Sequence, residues 1–396
     1  MIFEYINFDN TREIIELDLD VGVKDEWVNL STKDKREFIK EFLPAYSSGQ
    51  KLVLFDSNHK ELLKFYKKND INTLEKIDEV NHDAKLLFFT SGSSGFPVGA
   101  FKSEENIQAE VAVLKELVLK RDIKKVVVTV PFVHIYGVLA GLLLPLSLGG
   151  VKLVVKDDFL PYEVLSEAKE PNTLVVTTPV FIKALSKLSD EESLASSLFI
   201  CSTGPLHVDD VEALEVKYDT TVMQLFGSTE TGGIAHKFST SSKWVPLQSV
   251  EVKSKEDKLS VSSKFISPYI IDKEIKKLSQ PFTTEDIIEL DDEGFTLVGR
   301  SNKIIKIAGK RISAIHIEAI LETIPEIKRA VVELVYKKEL LRSEQIIITI
   351  QADDKIPKST IKKKIVECYG VLTIPFSVKY VQSIDLSAMG KKIIFN

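Results

Sequence analysis

Cysteine is scarce. Two residues in 396, Cys201 and Cys368, are too few for a disulfide framework or a multi-thiolate metal centre. Long apolar runs are missing too. The most apolar stretch, residues 126–155, is broken by His134, Gly137, Pro145 and Lys152, whereas a membrane span needs about 20 unbroken apolar residues. The first ten residues lack the charged-then-apolar order of a signal segment, so a cytoplasmic location is expected, with no membrane span. There is no excess of positive charge: 52 Lys+Arg face 58 Asp+Glu, for a formal net charge of −6. Such a chain has no broad face to neutralise phosphates, which argues against a general nucleic-acid binder. No Walker loop and no kinase catalytic-loop pattern occurs, which sets a phosphotransferase aside. Internal repeats and low-complexity tracts are absent.

What is present is globular: 44% apolar and 28% charged residues, enough for two or three domains of about 150 residues each. The charge is unevenly placed. From Ser301 onward 17 Lys+Arg stand against 10 Asp+Glu, a net of +7, while the preceding body carries 35 against 48, a net of −13. That shift marks the expected domain boundary, 1–300 and 301–396. Lys-rich helix faces such as Lys362-Lys363-Lys364 are usually solvated; the sharper reading is a basic lid that meets a polyphosphate or an acidic carrier. In the body, apolar runs at 51–55, 84–89, 126–130, 151–155, 174–177, 198–202 and 222–226 read as strands. Helical spacing at 103–119, 138–148 and 162–168 alternates with them. The expected fold class is therefore α/β, a large layered N-terminal domain with mainly parallel sheets, and ligands would gather beyond the strand ends. After Arg300 the pattern predicts a small α+β unit, with helices at 314–323 and 359–369 and strands at 330–336, 345–351 and 377–381.

Four stretches bear chemistry. Thr90-Ser91-Gly92-Ser93-Ser94-Gly95 follows an apolar strand, and its hydroxyls and glycines suit a polyphosphate; alone it could be a flexible turn. Phe226-Gly227-Ser228-Thr229-Glu230-Thr231-Gly232-Gly233 offers a hydroxyl for a phosphate oxygen beside a carboxylate for Mg²⁺; alone it too could be a turn. Then come Glu285-Asp286, the hairpin signal Asp292-Glu293-Gly294, and Gly299-Arg300. Last is the tail Met389-Gly390-Lys391-Lys392, whose lysine pair would by itself be an ordinary solvated end.

In this order, with Pro131-Phe132-Val133-His134-Ile135-Tyr136-Gly137 and Ser202-Thr203-Gly204-Pro205-Leu206 between them, the stretches resemble the adenylate-forming superfamily. That superfamily includes acyl- and aryl-CoA synthetases, luciferases and peptide-synthetase adenylation domains. The resemblance runs from about residue 86 to the end of the sequence. It implies activation of a carboxylic acid, fatty or aromatic, by Mg-ATP to an acyl-adenylate, and then transfer to a thiol. The thiol would be coenzyme A or the phosphopantetheine of an acyl carrier protein. Thr90 to Gly95 would be the phosphate loop. Ser202, Thr203, Gly204 and Pro205, with Gln224, Phe226, Gly227 and Ser228, would border the adenine. Thr229 would contact the α-phosphate and Glu230 would hold Mg²⁺. Asp286, helped by Arg300, would take the ribose hydroxyls, and His134 would gate the acyl and thiol channels. Lys391 would be the catalytic lysine of a mobile C-terminal lid, with Lys392 as the register alternative. Asn302 would be the hinge, and Lys306 and Gly309 would lie on the face that closes for thiol attack.

Three departures stand out. The family's Pro-Lys-Gly is Pro97-Val98-Gly99 here, and Lys102 is the candidate to replace the missing charge. Glu285 replaces a common glycine, and His316 replaces the first Glu of a Glu-x-Glu run that leaves Glu318. Only 89 residues precede the loop, where family members have well over a hundred, so a reduced N-terminal region is expected. The alternative function is a non-catalytic nucleotide- or acyl-binding sensor or scaffold.

Overall fold

The computed structural model describes residues 2–19, 22, 27–31, 34–55, 83–90, 98–189, 192–239, 241, 243–272, 274–301, 304–307, 310–336, 344–369, 375–386 and 392–393. Contacts divide the chain into two compact units, Met1–Val252 with Val261–Phe282, and Lys253–Ser260 with Thr283–Asn396. The division by contacts therefore falls after the first residue of strand Phe282–Asp291, whereas the division by charge follows strand Gly294–Arg300.

The first unit holds a nine-stranded sheet. Its strand order is Val245–Pro246, Gly232–Phe238, Thr221–Ser228, Leu198–Cys201, Thr173–Thr177, Lys125–Val128, Lys152–Val155, Ile2–Ile6 and Arg12–Glu16. The six strands from Thr221–Ser228 to Ile2–Ile6 run parallel, and antiparallel pairs close both edges. A second, six-stranded sheet contains Val28–Leu30, Leu52–Leu54, Ala84–Thr90, Val98–Ser103, Tyr269–Asp272 and Glu274–Lys277.

Strand parity explains the layering. Val126 and Val128 enter one core with Leu86, Phe88 and helix residues such as Phe38, Ile107 and Leu142. Val127, between them, enters a second core with Val164, Ile182 and Leu214. Consecutive side chains of a strand point to opposite faces, so a sheet covered on both faces reads as an unbroken valine run. Helix Glu104–Leu119 starts where Ser103 accepts from the Asn106 N–H and the Asn106 side chain accepts from the Ser103 N–H, with Glu104 and Glu105 in the first turn. The apolar segment expected as one helix is helical from Ile135 to Leu148 but widens to a π-turn at Leu139–Leu143. Gly141 sits there because a Cβ would lie 2.9 Å from Val128 Cγ1.

The second unit has a four-stranded sheet in the order Glu251–Lys255, Lys258–Ser262, Phe282–Asp291, Gly294–Arg300. A three-stranded sheet of Arg329–Tyr336, Glu344–Gln351 and Phe376–Val381 follows. Helices Ala314–Leu321 and Lys358–Tyr369 share a core with the latter, the α+β arrangement expected. Sequence reading passed over strands Ile2–Ile6 and Arg12–Glu16 and helices Lys35–Ser47, Pro179–Ser186 and Val208–Tyr218. Among the described residues no helix is long and apolar enough to cross a membrane.

Candidate active site

The parallel strands end at Val128, Val155, Thr177, Cys201 and Ser228, and the residues just beyond them crowd one end of the large sheet, where open α/β folds bind ligands. Thr129 Oγ1 lies 3.0 Å from Thr177 Oγ1. The hydroxyl of Tyr136 lies 2.8 Å from the Ile200 carbonyl and 3.2 Å from that of Thr177. It thereby ties the segment after His134 to two strand ends, and burial raises its pKa far above the usual phenol value. Gly137 is required there, because a Cβ would lie 2.1 Å from the Pro131 carbonyl oxygen. His134 is half-buried at the N-terminus of this helix.

Ser202 donates to the Leu225 carbonyl at 2.9 Å. Thr203 follows with φ +88°, an outlying backbone for a β-branched residue. Gly204 and Pro205 are exposed. Cys201 is buried, and desolvation pushes its thiol up, so it is an unreactive core residue.

Strands Thr221–Ser228 and Gly232–Phe238 form the hairpin that presents Thr229 and Glu230, both half-exposed. Ser228 and Thr231 brace the turn. The Ser228 N–H donates to Thr231 Oγ1 at 3.1 Å, the Thr231 N–H to Ser228 Oγ at 3.2 Å, and Thr231 Oγ1 to the Gly232 carbonyl at 2.9 Å. Gly227 and Gly232 let the strands approach: a Cβ on Gly227 would lie 2.3 Å from the Gly232 carbonyl oxygen, and Gly232 has φ +70°. Phe226 packs on Trp244 at 5.4 Å between centroids, and Lys237 lies over the same indole at 4.8 Å.

Two side chains predicted to contact the nucleotide are buried and hydrogen-bonded within the protein. The Gln224 side chain is buried and its amide donates to the Ser239 carbonyl at 3.2 Å. Lys102 is 1% exposed, with Nζ donating to the Phe265 carbonyl at 2.6 Å and to that of Glu230 at 3.4 Å. Its position opposite Leu86 aims it at the inner face of the second sheet. Burial pushes this ammonium down to about 8, against the pull of Glu110 and Glu230. Buried Glu110 accepts from the Gly233 N–H at 2.7 Å and is raised by desolvation.

In the second unit Asp286 and Arg300 are cross-strand partners, with Arg300 Nε 3.1 Å from Asp286 Oδ1. Burial raises the Asp286 carboxyl above the ordinary aspartate value, opposed by Arg300 and the Thr284 hydroxyl. Glu285 faces Lys258 at 3.0 Å and accepts from the Ser301 hydroxyl, contacts that hold its carboxyl below the usual range. Lys392 reaches Glu318 at 3.0 Å, Glu322 at 2.6 Å and the Ala330 carbonyl at 2.8 Å. It is a structural tether. Thr90 ends strand Ala84–Thr90 and Lys306 lies in strand Ile304–Ile307. Residues 91–95, Asn302, Gly309 and Lys391 lie outside the described residues.

Sequence reading missed Lys35. This buried ammonium donates to the carbonyls of Val128, Thr129 and Lys156 at 3.2, 3.1 and 2.9 Å, fastening two strand ends beside the site. A lysine in an unremarkable polar run gave no signal of this.

A layered α/β unit with this hairpin and these strand-end loops defines a nucleotide-binding fold of the adenylate-forming kind. The sequence profile of the AMP-binding enzyme family matches residues 28–277, and the chain belongs to that family and so to the adenylate-forming superfamily. It is similar to the peroxisomal OPC-8:0-CoA ligase 1 of Arabidopsis thaliana, 23% identical over 394 residues that cover 89% of this chain and 72% of that protein. A 4-coumarate–CoA ligase of Cereibacter sphaeroides is 25% identical over 270 residues, covering 66% of this chain and 61% of that protein. The chain thus spans about two thirds of the length of these curated relatives. Among solved structures, o-succinylbenzoate CoA synthetase (MenE) of Bacillus subtilis with its acyl-adenylate has a TM-score of 0.78 at 18% identity, covering 93% of this chain and 87% of that one. ATP-bound MatB of Rhodopseudomonas palustris has 0.75 at 16% identity, covering 94% and 88%. The fold is that of these synthetases.

Proposed function

We propose that the chain is an AMP-forming ligase that joins a carboxylic acid to a thiol. The observation that carries this reading is the braced hairpin turn at the carboxyl end of the parallel sheet, which presents a hydroxyl and a carboxylate, Thr229 and Glu230, side by side. The names of the relatives, CoA ligases throughout those cited, support coenzyme A as acceptor; an acyl carrier protein is the second candidate. A fatty or aromatic acid is the proposed substrate class, and a cytoplasmic location goes with it.

In the first half-reaction an acid oxygen attacks the α-phosphorus of ATP, the bond to pyrophosphate breaks, and acyl-adenylate forms. In the second, the thiol sulfur attacks the acyl carbon, its proton passes to solvent, and AMP leaves. The donor set fits magnesium, which takes one or two carboxylates plus phosphate oxygens; bound at Glu230 it would offset the negative charge that grows at the phosphates. Thr229 donates to the α-phosphate. Ser202, Thr203, Gly204 and Pro205 border the base, Asp286 accepts from the ribose hydroxyls, and the loop of Thr90 to Gly95 takes the outer phosphates. Lys391 meets the developing charge, a contribution of about 3 kcal/mol for one placed donor. His134 gates the acyl channel. The segment 301–396 acts as a lid turning at Asn302, with Lys306 and Gly309 on its second working face.

The test is ATP–pyrophosphate exchange over a panel of fatty and aromatic acids, with thioester formation followed separately for coenzyme A and a pantetheinylated carrier. Acid-dependent exchange with a thioester to one acceptor is expected. Exchange without thioester to either would end the ligase half. A second reading, a non-catalytic sensor, is favoured by one observation: Lys102, the candidate for the charge that Val98 lacks, is buried with its ammonium on the carbonyls of Phe265 and Glu230. Tight ATP binding with no exchange across the panel would select it.

A further inference from the structure

We propose that Lys102 and Glu110 are positioning residues for the Thr229–Glu230 turn, acting as a buried pair on its backbone. This rests on the reading of that turn as the active one. The two side chains come from one strand–helix unit: Lys102 near the end of strand Val98–Ser103, Glu110 within the helix Glu104–Leu119 that follows. Lys102 Nζ holds the Glu230 carbonyl at 3.4 Å and the Phe265 carbonyl at 2.6 Å. The Glu230 carbonyl also accepts from the Ser267 N–H at 2.8 Å. On the far side of the turn, Glu110 Oε1 accepts from the Gly233 N–H at 2.7 Å. Its Oε2 occupies the space of an absent side chain, because a Cβ on Gly232 would lie 2.4 Å away. The peptide segment from 230 to 233 is thus gripped at both ends by opposite charges that are 1% and 6% exposed.

Burying two opposite charges is a weak way to stabilise a fold, since desolvation offsets their Coulomb attraction and apolar residues of equal volume often do as well. Here Glu110 holds the Gly233 N–H, and Lys102 divides its bonds between the Phe265 carbonyl and that of Glu230, in a backbone where a displacement of 1 Å can cost about 100-fold in rate. The strand that bears Lys102 also begins directly after residues 91–97, so Lys102 links the chain leaving the proposed phosphate loop to the backbone of Glu230, the residue proposed for magnesium. Lys102 therefore serves the phosphates at one remove, by fixing the backbone of Glu230.

The test uses the full chain with Lys102→Met, Glu110→Gln and both together. It measures ATP–pyrophosphate exchange, thermal stability, and amide hydrogen exchange of peptides covering 226–235. Lys102→Met is expected to lower kcat about 100-fold, to leave KM for the acid unchanged, and to speed amide exchange in the turn. The double variant buries no unpaired charge; it is expected to regain stability but neither kcat nor amide protection. Wild-type kcat and protection in folded Lys102→Met would overturn the proposal. So would a double variant that regains activity along with stability, since the pair would then serve the fold alone. Should Lys102→Met not fold, the double variant decides. If the wild type shows no exchange with any acid, the ligase reading fails, and amide protection alone decides the role of the pair.

Discussion

A β-branched residue at φ +88°, as Thr203 is, costs about 1–3 kcal/mol, and such strain collects at binding sites. Thr203→Gly should raise stability by about 1 kcal/mol or more and weaken ATP binding, read by denaturation and by calorimetry; tighter binding would show that the strained loop plays no part. Asp286 gives a pH signature. Its carboxyl is raised by burial and restrained by the Arg300 guanidinium, and ribose recognition needs it ionised. Arg300→Met should therefore move the acid limb of kcat/KM for ATP to higher pH, and Asp286→Asn should raise KM for ATP at every pH. An unmoved limb in Arg300→Met would detach Asp286 from the nucleotide. At this scale much was legible. The hydroxyl and carboxylate of Thr229-Glu230 stand in a Gly-bounded turn that sequence alone suggests, and Asp286 and Arg300 flank an Asp-Glu-Gly hairpin that pairs them. Lys102 was misread for a physical reason. Counting four residues from Val98 says nothing of strand parity, which turns its ammonium inward. Gln224 looked like a border residue, yet strand pairing buries it.

Elements show what glycine spacing and buried lysines enforce. On the hairpin, Gly227 faces a backbone carbonyl that cannot move aside, so Gly227→Ala should cost about 3 kcal/mol and abolish exchange activity together; a fully active, stable variant would mean that the strands can separate locally. At the neighbouring strand ends Lys35 carries a pH dependence. Burial pushes its ammonium down to about 8, with Asp157 and Asp158 pulling upward. Between that value and 10.5 the unfolded chain holds a proton that the folded chain has released. The Lys35 contribution to stability should then rise with pH from about 8, by at most about 1.4 kcal/mol per pH unit. Buried Tyr46 and Cys201, whose pKa values burial raises, reverse the trend above about pH 9, where the unfolded chain ionises first. Denaturation at pH 7, 8 and 9 checks this, and Lys35→Met should be less stable throughout and keep only the part of the rise that buried Lys102, also pushed down to about 8, supplies. The strands and helices with strong periodicity were readable in advance. Strand Ile2–Ile6 and the edge strand Arg12–Glu16 were not, because charge at Glu4, Arg12 and Glu13 masks their alternation; those charges belong to surface and half-buried ion pairs such as Arg12–Glu4 at 2.9 Å.

For the whole molecule, charge shifts after Arg300, while contacts divide the chain between Phe282 and Thr283, at the start of strand Phe282–Asp291. A chain ended after residue 301 keeps both neighbours of strand Lys258–Ser262 in its sheet; one ended after Phe282 keeps Glu251–Lys255 but strips away Phe282–Asp291. Melting and proteolysis should find the longer form cooperative and the shorter one nicked between 251 and 262, and equal resistance would show that this sheet is dispensable. The same threading bears on how new members of this architecture can arise. The chain enters the smaller unit at Lys253, returns at Val261 and enters again at Thr283. Recombination that swaps everything beyond one crossover point would separate the short early segment from the strands it pairs with. Only exchanges made at two places, or made late enough to spare the four-stranded sheet, would give hybrids whose pieces were selected together.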